Sequence, residues 1–126
     1  MIDIVVYVAG PYRASTEFEL IENIRRAEAV AIEVWKAGYI AFCPHKNTAH
    51  FGGICEDKVW LESGLEFLDR SDALILVEGW EKSTGTVEEI SFARKRKIPI
   101  FSSIKELREA TIKKRVTTKP VMLDLM

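Results

Sequence analysis

The sequence predicts a doubly wound α/β fold. One parallel sheet of four to five strands, in the order 2-1-3-4(-5) and wound in the flavodoxin-like or Rossmann-like way, carries helices on both faces. Two observations point there first. Residues 3–9 (DIVVYVA) and 73–77 (ALILV) are near-continuous runs of β-branched and aliphatic residues, the pattern of strands covered on both faces. Between and after them lie segments with apolar residues at helical spacing, opened by capping signals. Strands that alternate with helices require right-handed crossovers, and 2-1-3-4 is the simplest order that satisfies them.

The elements follow in order. The first strand ends at Gly10-Pro11, and Thr16-Glu17-Phe18-Glu19 forms a capping box for a helix. Leu20, Ile24, Ala27, Ala31 and Val34 make its apolar face, and Gly38 stops it. Residues 39–43 (YIAFC) supply a second strand. Pro44 then opens a polar stretch to Glu56, with His45, His50 and Gly52-Gly53, expected as a mobile loop over the site. A second helix over 57–70 shows Leu61, Leu65 and Leu68 on one face, and the strand 73–77 follows. A third helix starts near Gly85, with Ile90, Ala93 and Ile98 on a face that ends at Pro99. A short strand at 98–101, a last helix opened by the box Ser103-Ile104-Lys105-Glu106, and an edge strand at 121–123 complete the pattern.

With 126 residues, the chain is expected to form one domain over 1–126. Apolar residues make up 48% and charged residues 29%, enough for a core and for solubility. No apolar run approaches the ~20 residues of a membrane span, and no signal-like segment opens the chain, so a cytoplasmic location is expected. Cys43 and Cys55 are expected as reduced thiols. The net charge of −1 hides an asymmetry, because residues 91–126 hold 10 basic and 3 acidic side chains. The run Lys113-Lys114-Arg115 lacks interleaved aromatic residues, so nucleic acid is not the expected partner. A solvated helix face or a contact to an acidic neighbouring subunit fits it better.

In doubly wound sheets ligands bind beyond the carboxyl ends of the strands, where the winding reverses. Here that crevice lies between residues 9–13 and 79–89, which brings Tyr7, Gly10 and Arg13 near Ser83, Gly85 and Glu89. The second segment passes from strand to helix through small and hydroxyl-bearing residues, and a helix start stabilises a phosphate or carboxylate through unpaired N–H groups. Glu89 has two readings. In one, Thr86 caps the helix and Glu89 reaches back to complete a capping box. In the other, Glu89 faces the crevice from the first turn, where the helix dipole holds its carboxylate ionised and fit to act as a nucleophile.

The motifs Y-V-A-G-P-Y-R at 7–13 and S-T-G-T-V-E-E at 83–89 resemble the two signatures of the nucleoside 2-deoxyribosyltransferase-like superfamily, and residues 4–101 follow its pattern. Within it the chain is most similar to a branch that carries A-G-P-Y, a P-H after the second strand and G-W-E-x-S-x-G. Among members of known activity, the motif residues resemble the 2'-deoxynucleoside 5'-monophosphate N-glycosidases more than the transferases. Those glycosidases carry a serine six residues before the glutamate and a phosphate-binding arginine six after the tyrosine, here Ser83 and Arg13. The resemblance implies a nucleotide substrate, with Glu89 attacking C1' of the sugar and Tyr7 orienting its carboxylate. It also implies that Gly10 and Gly85 let backbone approach the ligand, and that the protein is a homodimer or larger. Such a reaction passes through an oxocarbenium-like state that a carboxylate can stabilise or trap.

One departure stands out. The superfamily's proton donor, an aspartate eight residues before the one that opens the third strand, falls on Gly64 when counted back from Asp72. A positioned acid contributes ~10²–10⁴ in rate. Glu62 and Glu66 lie nearby but on other faces of the helix. The missing acid leaves a second class of function open, a nucleotide-binding sensor or partner protein that keeps the cradle without turnover. Restoring the residue, Gly64→Asp, is expected to raise turnover if the crevice is otherwise intact.

Other candidates carry less. Cys43, His45, His50 and Cys55 have the ligand types of a zinc site but not its spacing, so no metal is expected. His45 lines the pocket or is an ordinary loop histidine. Trp80 stacks on a base or sugar, or packs against the long loop, and Tyr12 divides the same way. Trp35 and Trp60 are expected in the core or an interface. No G-x-G-x-x-G follows the first strand, and no cofactor is expected.

Overall fold

The computed structural model describes residues 3–115. Four parallel strands form one sheet in the order β2-β1-β3-β4: β1 Val5–Ala9, β2 Ile40–Phe42, β3 Ala73–Leu76 and β4 Ile100–Phe101. The register sets Tyr7 beside Phe42 on one side and Leu74 on the other. The expected order is therefore observed for four strands, with each strand shorter than its apolar run. The edge strand expected at 121–123 lies outside the described residues.

The alternation of side chains along the two central strands builds two cores. Val6, Val8, Ala73, Ile75 and Val77 face helix α1 (Glu17–Lys36) and helix α5 (Ile104–Glu109), meeting Ala27, Ala31, Val34 and Leu107. Tyr7, Ala9, Leu74 and Leu76 face the other layer, meeting Leu68 of α3 (Asp57–Asp69) and Ile90 and Ala93 of α4 (Thr84–Lys95). Tyr7 is thus the one polar-tipped side chain that β1 sends toward α3 and α4.

Local signals explain the helix ends. Thr16 caps α1 by accepting from the Glu19 amide. Gly38, at φ 95°, closes it with amide bonds from Gly38 to Trp35 and from Tyr39 to Val34, the paired pattern that a left-handed residue permits. Ser103 caps α5, and Glu106 reaches back to the Ser102 amide. Three expectations need correction. Helix α4 ends at Lys95 rather than Pro99, because Lys97 takes a left-handed conformation (φ 59°); Ile98 is buried beyond the helix, its amide bonded to Ala93. The stretch after Pro44 is not all loop, since Pro44–Asn47 forms a short helix, α2, with proline in its first turn. Leu61 is exposed, whereas Leu68 is buried and Leu65 packs beside it, because α3 turns its first two turns away from the sheet.

A basic strap crosses the amino-terminal end of the sheet, opposite the crevice. Asp72 is buried and accepts from the Val5 amide at 2.8 Å, the Arg115 amide at 2.7 Å and Lys114 Nζ at 3.0 Å. The Arg115 guanidinium donates to the carbonyls of Asp69 and Ser71. Lys114 and Arg115 are engaged within the chain, which differs from the solvated face or subunit contact expected for this run. No helix among the described residues is long and apolar enough to cross a membrane.

Candidate active site

At the center of the α3–α4 layer, the Tyr7 hydroxyl donates a hydrogen bond to Glu89 Oε2. The partners are 82 residues apart in sequence and come together because β1 and β3 are neighbours and α4 follows β3 directly. Tyr7 is buried, and Phe42 flanks its ring at 6.0 Å. Phe42 in turn stacks on Phe67 of α3 at 4.3 Å, so the tyrosine stands against an aromatic wall.

The contact decides between the two local readings of Glu89. The cap of α4 is Ser83, whose Oγ accepts from the Thr86 amide at 3.2 Å. Thr86 is itself inside the helix and buried. The expected box from Thr86 to Glu89 therefore does not form, and the Glu89 carboxylate turns to Tyr7. The same shift of helix start overturns the expectation that the dipole holds Glu89 ionised. Counted from Thr84, Glu89 lies in the second turn, and the dipole's effect is confined to the first. Burial dominates instead and pushes its pKa up to about 7; the Tyr7 hydrogen bond works against that rise, and the neighbouring Glu88 charge adds to it. The Tyr7 hydroxyl is held well above its ordinary value, first by burial and then by the Glu89 charge. At neutral pH Tyr7 keeps its proton, and Glu89 is poised between acid and carboxylate.

The two loops of the crevice meet above this pair. Gly10 is buried where the ends of β1 and β3 converge, and a β-carbon there would lie 2.5 Å from Val77 Cβ, so packing alone demands glycine. Gly79 has φ 89° and lies against Pro11, then Trp80–Lys82 form a single 3₁₀ turn that leads to the Ser83 cap. Trp80 is half-buried and packs against the Tyr7-side core. Gly85, in the first turn of α4, has open space where a β-carbon would stand. The Thr84 and Gly85 amides, in that first turn, have no acceptor within the helix.

Arg13 and His45 occupy different surroundings from each other. Arg13 is on the loop after β1 and pairs with Asp57 at the start of α3, a partner that no local sequence pattern marks; their side chains are 71% and 76% exposed. His45 is buried, and its Nε2 lies 2.8 Å from the Pro11 carbonyl. Burial lowers its pKa, against hydrogen bonds to the Pro11 and Gly10 backbone. As a neutral ring donating from Nε2, it pins the loop after β1 to α2, and its buried Nδ1 has no partner among the described residues. Tyr12 stands edge-on to the His45 ring at 5.5 Å. Trp60 is half-buried, whereas Trp35 is exposed on α1 and belongs to no core.

Glu62 pairs with Lys58 and Glu66 with Arg70 along the flank of α3. It is Gly64 whose absent side chain faces the pair: a β-carbon there would lie 3.1 Å from the Tyr7 hydroxyl and 3.9 Å from Glu89 Oε2. Cys55 and His50 are exposed and Cys43 is half-buried; among the described residues no three His, Cys, Asp or Glu side chains form a metal-holding group.

A family profile described as a domain of unknown function, DUF7768, matches residues 4–103. The chain belongs to the DUF7768 family. The matched span contains every strand of the sheet together with Tyr7, Gly64 and Glu89. No curated protein sequence matches the chain. Among solved structures, the DUF7768 chain is similar to a 2-deoxyribosyltransferase from the psychrotolerant bacterium Bacillus psychrosaccharolyticus, at 15% identity and a TM-score of 0.59 over 89% of this chain and 99% of that one. It is also similar to a conserved protein from Enterococcus faecalis V583, at 20% identity and a TM-score of 0.62, covering 77% of this chain and 60% of the other. These likenesses establish the fold as that of nucleoside deoxyribosyltransferase.

Proposed function

We propose that this chain, acting as a single domain, is an N-glycosidase that cleaves the base–sugar bond of a nucleoside 5'-monophosphate, with Glu89 as the nucleophile. The observation that carries the reading is the Tyr7–Glu89 bond, which sets a carboxylate of α4 against the middle of the central strand β1. A capping role does not explain a carboxylate held there, because Ser83 caps the helix. Tyr7 fixes one carboxylate oxygen, which leaves the other for attack at C1' and for stabilising positive charge on the sugar. The fold shared with a 2-deoxyribosyltransferase supports a nucleoside-like substrate.

A phosphate fits the rim of the crevice. Ser83 Oγ accepts from the Thr86 amide and from the Thr86 hydroxyl, so its own O–H remains to donate to an anion. The adjoining helix start adds two amides without a helix acceptor and the positive end of the dipole. The Arg13–Asp57 pair is so exposed that it contributes little, roughly 0–1 kcal/mol, and releasing it to meet a phosphate costs correspondingly little. By calorimetry a nucleoside monophosphate is expected to bind at least about tenfold more tightly than its unphosphorylated nucleoside, and Arg13→Ala should remove most of that difference. Equal affinity for the two ligands would contradict the phosphate assignment.

The pH dependence follows from Glu89. Attack requires the carboxylate, and its pKa of about 7 places half-ionisation near neutrality. The rate of base release is expected to climb as pH rises from 6 to 8 and then level. A rate already at its plateau at pH 5.5 would show that the rate-limiting group is not this one.

A second reading, a nucleotide-binding sensor without turnover, is favoured by one observation: Gly64 places no acid opposite the pair. The two readings part on products, since a sensor binds nucleotide and leaves it intact.

A further inference from the structure

His45 is buried, yet the chemistry proposed for Glu89 makes no use of it. Its Nε2 lies 2.8 Å from the Pro11 carbonyl, and its buried Nδ1 meets no polar group among the described residues. Those two facts fix the tautomer. With the proton on Nδ1, a buried donor would lack an acceptor and the Nε2 lone pair would face a carbonyl oxygen. With the proton on Nε2, the carbonyl is satisfied and a single ring acceptor is left unpaired. His45 is therefore a donor to Pro11 in one direction only.

The next carbonyl of the same loop is held as well, because Asn23 of α1 donates to the Tyr12 oxygen at 3.1 Å. Two successive carbonyls, which would repel an anion if they turned toward it, are each occupied by a donor from a different helix. Pro11 also carries the constraint across the crevice. Its ring lies against Gly79, where a β-carbon would be 3.8 Å from Pro11 Cγ. Gly79 opens the 3₁₀ turn Trp80–Lys82, which leads directly to Ser83.

We infer that His45 is a positioning residue for phosphate recognition: by holding the Pro11 carbonyl it fixes the loop that bears Arg13 and, through the Pro11 ring, the turn that delivers Ser83. The inference rests on the phosphate contacts proposed above, whereas the linkage through Pro11 is readable without any ligand.

Hydrogen exchange of the free chain tests the linkage, and calorimetry tests its use. His45→Leu keeps an apolar side chain at the position and removes the donor. The amides of Lys82 and Ser83 bond to the Gly79 and Trp80 carbonyls, and neither is bonded to His45; both are expected to exchange faster in this variant. Affinity for a nucleoside monophosphate should fall about three- to tenfold, because the loop must then be ordered on binding. Affinity for the unphosphorylated nucleoside and the Glu89 titration midpoint should stay at their wild-type values. His45→Gln, whose amide nitrogen can reach the place of Nε2, should restore both readouts. Faster exchange confined to residues 10–13, an equal loss of affinity for both ligands, or a glutamine variant as impaired as the leucine one would overturn the inference. Should His45→Leu fail to fold, His45→Gln carries the test, and faster exchange at Lys82 and Ser83 in that variant would count against it. A wild-type chain that binds both ligands equally ends the phosphate reading itself; a wild-type preference for the monophosphate that survives in His45→Leu overturns this inference alone.

Discussion

Glu89→Gln is expected to reduce base release from nucleoside monophosphates by at least about a thousandfold, because the amide cannot form the glycosyl ester that a carboxylate nucleophile forms. Nucleotide affinity should change little, since the proposed phosphate contacts of Arg13 and Ser83 do not involve Glu89. Stability supplies an independent check with a definite sign. The Glu89 pKa is raised from 4.5 to about 7 in the folded protein, so its protonated form is the one the fold favours. Its stabilising contribution is full below 4.5 and is lost as pH rises through about 7. The wild-type chain should therefore melt progressively earlier, relative to Glu89→Gln, between pH 5 and 8. Activity and stability run in opposite directions across one pH window, as expected of a carboxylate buried for chemistry. Thermal melts of both chains at several pH values would check it, and a difference between the two melting temperatures that stays constant from pH 5 to 8 would contradict it.

The second large effect is expected far from the crevice. Asp72→Ala removes the acceptor for the Val5 amide, the Arg115 amide and Lys114 Nζ together. Two backbone donors at a buried site lose their partner, and a nearby ammonium loses its counter-charge. The expected loss is about 2–5 kcal/mol, a large fraction of the ~5–15 kcal/mol that holds a typical domain. Lys114→Met is the informative contrast. Lys114 is half exposed, and its removal leaves both amide bonds to Asp72 in place, so it should cost under about 1 kcal/mol. Urea melts of the two variants would separate the cases. Equal losses would mean that the ammonium, not the amide pair, is what Asp72 holds.

The sheet was legible because buried parallel strands have a composition of their own. The β-branched runs around Val6 and Ile75 cannot be surface segments, and the helical spacing between them leaves one simple order. Helix starts were legible where the box spacing picked the right residue. Glu19 selects Thr16 over Ser15 and Glu106 selects Ser103 over Ser102, and both cap as expected. At α4, Ser83 and Thr86 are both competent, and sequence spacing favoured Thr86 through its match to Glu89. What decided otherwise is non-local, because the Tyr7 hydroxyl, 82 residues away, takes the carboxylate. The ionisation of Glu89 was misjudged with it, since three residues of helix start separate a dipole-dominated site from a burial-dominated one. The pairing of Arg13 with Asp57 and the clamp of Lys114 and Arg115 on Asp72 have no local pattern at all. Gly64 was legible as a departure from a family pattern, but not as a contact, because only the packing of α3 on β1 brings it to the Tyr7 hydroxyl.

The most direct test is to incubate the wild-type chain at pH 8 with a panel of purine and pyrimidine ribo- and deoxyribonucleoside 5'-monophosphates and to separate the products by chromatography. Free base together with a sugar 5-phosphate, from at least one nucleotide and absent with Glu89→Gln, is the expected result. Nucleotides that bind the chain yet are recovered intact across the whole panel, or base released equally by the Glu89→Gln variant, would contradict a glutamate nucleophile at this site.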